Sequence, residues 1–165
     1  VRANGHAATR WLRHRLHLHG ATVRNETDGG VWSRHAIEIN LRMTGTTHPI
    51  MMLKLLNDGD YDPERGLYLT RRGEPRYYVS TDNLMEPSYK GLLPDDVLDI
   101  AAVHDVHYLP WKETGVVFHL LGAVSQFGKI GLTAIGSTSD EAELFYQRAK
   151  QVLDSETRGP KAARR

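Results

Sequence analysis

Glu38, Asn40 and Arg42 alternate with Ile37, Ile39 and Leu41. Read as a strand, the period of two sends the three polar side chains to one face and the aliphatic ones to the other. A carboxylate, an amide oxygen and a guanidinium in that order suit a magnesium–phosphate site. Magnesium takes hard oxygen ligands, keeps several waters and needs only one or two protein groups beside the phosphates themselves. Arginine adds a planar fork that matches a phosphate or a carboxylate. Alternation by itself describes any half-exposed strand, so the weight rests on the order of these side chains and on the adjoining block, Thr44-Gly45-Thr46-Thr47-His48-Pro49. That block is a glycine turn into a helix start, whose free N–H groups attract anions. His48 either contacts a phosphate there or bonds the turn backbone.

The elements that must hold this edge are readable on both sides. Thr22-Val23-Arg24 and Val31-Trp32 flank a turn from Asn25 to Gly30, which predicts a hairpin leading into the polar strand. Before it, Trp11, Leu12, Leu16 and His19 form one weak helical face that ends at Gly20. After it, Thr46 or Thr47 caps a helix with Pro49 in its first turn, running through Leu53 and Leu56 to about Gly59. Gly66–Thr70 and Arg76–Ser80 read as a hairpin around Arg71 to Pro75. Thr81 to Leu84 is expected in a loop over the site, with Asp82 either touching substrate or serving the turn. Pro94 opens a short helix. The segments 113–122 and 129–136 pair as nearly buried strands, and a Thr138/Glu141 capping box starts a final helix from about Ser139 to Asp154.

Histidine is the other residue type with chemistry to offer. His6, His14, His17 and His19 lie among arginines with no acidic neighbour to orient a ring, as in a basic arm. His104 and His107 lack a third ligand at a recognisable spacing. His119, set among aliphatics in 115–122, is either a satisfied core histidine or a substrate group.

Composition narrows the class. A chain of 165 residues with 40% hydrophobic and 25% charged residues is ordinary globular material. With no cysteine there is no disulfide, thiol nucleophile or cysteine-bound zinc, which suits a reducing compartment. The longest apolar run, 115–124, is too short to span a bilayer. No secretory leader is read at the N-terminus, so a cytoplasmic protein is expected. The net charge of +1 hides a split. Eight of the 21 basic residues lie within 1–22 and 158–165, leaving 13 against 20 acidic residues between them. With an acidic body and no recognition motif, nucleic acid is not the expected partner.

Taken together, Ile37 to Pro49 resemble the Glu-x-Asn-x-Arg metal motif of ATP-grasp ligases, especially the carboxylate–amine and natural-product peptide ligases that continue into Gly-Thr-Thr-His-Pro. Thr44 stands where many members have a second glycine. Thr114-Gly115-Val116-Val117-Phe118-His119, Gly128-Lys129-Ile130-Gly131 and Thr133-Ala134-Ile135-Gly136 resemble the C-terminal domain of the pheganomycin-type peptide ligases. The resemblance covers about Val23 to Leu153 and is strongest over 36–49 and 114–136.

It implies an α+β fold: part of an ATP-grasp antiparallel sheet with a helix, then a small β-hairpin plus helix. The corresponding divisions are a basic segment 1–22, the end of an ATP-grasp domain 23–91, a peptide-ligase C-terminal domain 92–157 and a basic tail 158–165 expected to be disordered. It also implies ATP and Mg2+ as cofactors, with Glu38 and Asn40 as metal ligands. Arg42 is then the catalytic contact to phosphate or substrate carboxylate, and His48 joins the nucleotide site. The substrates are a carboxylate and an amine, small or peptidic, joined through an acyl phosphate. Two family features are missing. No Asp or Glu precedes Glu26 on the expected partner strand, and the chain has no glycine-rich phosphate loop or lysine-bearing strand ahead of the motif. Little turnover is therefore expected of this chain alone, with a partner chain supplying the missing lobes. The alternative is a non-enzymatic remnant or partner-binding subunit.

Overall fold

A computed structural model of the chain describes residues 17–25, 31–40 and 47–158. The architecture is α+β. Strands β1 (His17–Asn25) and β2 (Val31–Asn40) form an antiparallel two-stranded sheet of their own. Helix α1 (Thr47–Asn57) follows, then β3 (Asp60–Asp62), β4 (Leu67–Leu69) and the long β5 (Pro75–Met85). Helix α2 (Pro94–Val103), β6 (Gly115–His119), the short α3 (Val124–Phe127), β7 (Lys129–Gly136) and α4 (Ser139–Arg158) complete the described order.

Strands β3 to β7 make one antiparallel sheet in the order β3-β4-β5-β7-β6. Strands from both sides of residues 91 and 92 thus share a sheet, because β5 lies directly against β7. Along β7 the side chains alternate between two cores. Ile130, Leu132 and Ala134 face the layer that holds Val97 and Ile100 of α2 and Ala149 and Leu153 of α4. Ile135 packs on the opposite face with Leu53 of α1 and Tyr68 of β4.

Local chemistry sets the helix starts. Asp96 accepts a hydrogen bond from the Leu93 N–H at 2.8 Å, with Pro94 in the first turn of α2. The expected box at α4 is present: Thr138 Oγ1 accepts from the Glu141 N–H at 3.1 Å, and Glu141 reaches back to the Ser137 N–H at 2.7 Å. These bonds satisfy N–H groups that the helix itself leaves unpaired.

Two expectations are corrected. Residues 17–20 do not end a helix. They belong to β1, whose His17-Leu18-His19 register lies against Asn40, Ile39 and Glu38 before a bulge at His19/Gly20. The earlier part of that expected helix lies outside the described residues. Thr81 to Leu84 is strand rather than loop: β5 runs on to Met85, and an irregularity in its pairing with β7 between Thr81 and Leu84 absorbs the turn-forming Asp82-Asn83 pair.

Candidate functional site

Strand β2 carries the polar edge. Glu38 and Asn40 sit two positions apart on it; their side chains lie outside the described residues. Their register partners on β1 are His19 and His17. Arg42 lies outside the described residues. Among the described residues, no group of three or more His, Asp or Glu side chains is arranged to hold a metal ion.

Helix α1 is fastened to the sheet at both ends. Near its C-terminal end the Tyr68 hydroxyl donates to the Leu53 carbonyl at 3.1 Å and accepts from the Gly59 N–H at 2.9 Å. The Tyr108 hydroxyl donates towards Leu56 O at 3.1 Å and also contacts Asn57 Oδ1. Burial first, then the nearby Glu113 carboxylate, pushes the Tyr108 hydroxyl up to about 12, so it remains a donor.

At the other end, His48 lies against His119, the last residue of β6. Their ring centroids are 4.1 Å apart and their planes tilted by 37°. Gly131 of β7 is the register partner of His119. A methyl group placed on it would come within 2.2 Å of the His119 ring, so the glycine makes room for that ring. Three of the stretches singled out in the sequence therefore converge here: the Thr-Thr-His-Pro turn, the Val-Val-Phe-His strand and the Gly-Lys-Ile-Gly hairpin.

Both rings are half-buried, yet the Nδ1 atoms of His48 and His119 are buried without a hydrogen-bond partner. Such an orphan costs free energy in a finished core and is one mark of a site awaiting a ligand or water. Burial lowers the His119 pKa to about 4, helped by His48 and opposed by the Asp82 carboxylate. His119 is therefore neutral at pH 7. Because its folded pKa lies below the usual 6.5, the unfolded chain takes the proton first. The stabilising contribution is complete above pH 6.5 and is lost as pH falls towards 4. A proton NMR titration of the imidazoles should show His119 changing near pH 4; a midpoint above 6 would mean the ring is solvated.

His104 and His107 have structural partners. His104 Nε2 meets Glu156 Oε1 at 2.8 Å, and His107 Nδ1 lies 3.4 Å from the Ala101 carbonyl. Sequence reasoning leaves His119 undecided between core and substrate, because only the packing of α1 on the sheet brings His48 to it. Asp82, expected in a loop, acts instead from within β5.

Comparison with known proteins agrees with the C-terminal sequence block. The PGM1 C-terminal domain family matches residues 96–149. The chain is 33% identical over 119 residues to the L-propargylglycine–L-glutamate ligase of Streptantibioticus cattleyicolor, covering 72% of this chain and 24% of that enzyme. The chain thus spans about a quarter of the length of the curated relative it matches. No solved structure matches it. No helix among the described residues is long and apolar enough to cross a membrane.

Proposed function

We propose that this chain, which carries a PGM1 C-terminal domain over residues 96–149, is the C-terminal part of an ATP-grasp ligase joining a carboxylate to an amine. The reaction would proceed through an acyl phosphate, which the amine then displaces. The relative's name pairs two α-amino acids, and the same substrate class suits this chain. The observation that carries the reading is the 33% identity to a ligase over 119 residues; the convergence of His48, His119 and Gly131 from three separated stretches at one place accords with it. Packing alone gives no reason for two histidines with orphaned nitrogens to meet there.

Glu38 and Asn40, two positions apart on β2, would supply hard oxygen donors, a set that fits magnesium carried by a nucleotide. When bound, that ion would neutralise phosphate charge. Arg42 would grip phosphate or the substrate carboxylate, and His48, second residue of α1, would donate to a phosphate at the helix mouth. The divisions proposed with it are the end of an ATP-grasp domain over 23–91 and a C-terminal domain over 92–157, with β5 of the first pairing β7 of the second in one sheet. A cytoplasmic location fits the cysteine-free sequence.

Rate in such a reaction comes from positioning nucleotide, acid and amine together. One metal edge does not do that, so the 165-residue chain by itself should turn over little and should act with lobes supplied by further polypeptide. Calorimetry with Mg-ATP tests the edge. Binding of micromolar strength, lost in Glu38→Ala, would support a working half-site. Absence of binding in the parent chain would favour the non-enzymatic, partner-binding subunit instead.

A further inference from the structure

Helix α2 turns Val97, Ile100 and Ala101 into the core and leaves its opposite face exposed. Asp95, Leu98, Asp99, Ala102 and Val103 all lie on that side, at the three- and four-residue spacings that make one helix face. Leu98 is 49% and Val103 77% exposed. Asp105, also exposed, follows two residues after the helix ends, and α2 itself carries no lysine or arginine. Other carboxylates on the described surface are engaged: Asp58 with Arg71, Glu74 with Arg72 and Arg76, Glu156 with His104. Those of Asp95, Asp99 and Asp105 have no ion pair among the described residues. Arg148 of α4 reaches the end of α2, but its Nη2 is bonded to the His104 carbonyl at 2.9 Å. The exposed apolar side chains of α1, Met51 and Leu55, have Lys54 beside them instead. Among the described helices, α2 is thus the one that pairs bare aliphatic surface with unpaired carboxylates.

We propose that this face of α2 is the docking surface of the chain's own basic segment, residues 1–16. The inference stands apart from the ligase reading. That segment holds Arg2, Arg10, Arg13 and Arg15, no acidic residue, and Trp11, Leu12 and Leu16 among the arginines. It complements α2 in both respects. Guanidinium forks match carboxylates, and the indole and leucine side chains offer apolar area to Leu98 and Val103. The basic residues after Arg158, which are Lys161, Arg164 and Arg165, come with no aromatic or large aliphatic side chain, so they match the charge alone. A single exposed ion pair holds little. Several arginines acting together with burial of Trp11 and Leu12 hold more, and a tethered segment meets its site at an effective concentration on the order of millimolar. Reach is sufficient: sixteen extended residues span up to about 55 Å, more than the roughly 40 Å width expected of a 165-residue domain.

The sequence has no cysteine, so Ala8→Cys gives the full chain a single thiol for a nitroxide label. With the label paramagnetic, the NMR amide signals of residues 95–103 should lose at least half the intensity they have when it is reduced. Signals around Leu144, exposed on α4, should keep theirs. Salt at about 1 M, which screens exposed charges, should weaken the effect. Asp95→Asn/Asp99→Asn and, separately, Leu98→Ser should each reduce the broadening several-fold. Both leave Asp96, whose carboxylate caps the helix, in place, and the amide spectra of the unlabelled variants check that α2 is intact. Combining Asp95→Lys/Asp99→Lys with Arg10→Glu/Arg13→Glu should restore the broadening that either reversal alone abolishes. Broadening spread evenly over the described surface, or unchanged by both α2 variants, would overturn the assignment. So would α2 signals untouched by the label, which would leave the face to another partner. Mixing isotope-labelled, cysteine-free chain with unenriched, spin-labelled chain tests for a second copy: broadening of α2 there as strong as within one chain would replace the intramolecular contact with one between copies.

Discussion

Arg76→Met should lower the unfolding free energy by about 3 kcal/mol, the low end of the range for breaking a buried ion pair on one side. The Arg76 side chain is only 3% exposed. Its Nη2 donates to Glu113 Oε2 at 2.7 Å and to Glu74 Oε2 at 2.9 Å, while Nη1 donates to the Pro75 carbonyl at 2.9 Å and Nε to the Glu113 carbonyl at 3.3 Å. Methionine fills similar space and offers none of those donors, so the Glu113 carboxylate, 20% exposed, loses its nearest counterion. Arg72 remains 3.3 Å from Glu113, but Arg72 is largely solvated and compensates little. Glu74 contributes less: its carboxyl is held below the usual range by the Arg76 hydrogen bond first and then by Arg72, and that benefit is screened by water. Urea denaturation checks the result through the midpoint at unchanged slope. A loss under about 1 kcal/mol, the scale of a surface pair, would mean Arg72 replaces the missing guanidinium. The double variant Arg76→Met/Glu113→Gln should recover part of the loss, because it removes the stranded charge as well.

That cluster also shows what sequence does and does not disclose. Capping at α4 is readable because Thr138 and Glu141 are three residues apart and their partners are local backbone groups. The pairing of β6 with β7 is readable for the same reason, through apolar runs either side of a short turn. The neighbour relation of β5 and β7 is not, since α2 and β6 intervene and nothing local encodes it. Asp82-Asn83 misleads because the dipeptide favours turns, while a seven-position ladder with β7 holds the strand through an irregularity. The start of β1 is hidden because arginines and histidines around Leu16 and Leu18 mask its alternation. Of the proposed metal edge, Glu38 and Asn40 are suggested by spacing, whereas the register that sets His19 and His17 against them is not. Likewise His48 and His119 are 71 residues apart in sequence. Their encounter depends on where Tyr68 and Tyr108 dock α1.

Gly115→Ala should be among the most damaging single methyls in the described residues, costing about 3 to 5 kcal/mol from backbone strain and overpacking together. Gly115 opens β6 with φ +124, a conformation that L side chains rarely adopt. An added Cβ would lie 2.4 Å from the His107 carbonyl oxygen and 2.7 Å from Tyr108 Cα. Both are backbone atoms, held by the Tyr108 N–H to Val116 carbonyl bond at 2.9 Å and the Leu109 N–H to Thr114 carbonyl bond at 2.9 Å. Neither can rotate away, so β6 itself must shift. His119 ends that strand four residues later, and Tyr108 anchors the end of α1. The substitution therefore moves both supports of the histidine pair. Gly122→Ala is the matched control, since a Cβ there meets nothing within 4 Å, and it should stay within about 0.5 kcal/mol of the parent. Thermal and urea unfolding measure the stability difference, and the ring signals of His48 and His119 report the displacement. If Gly115→Ala left both the unfolding midpoint and those signals unchanged, β6 would not be the rigid rail that brings His119 under the helix.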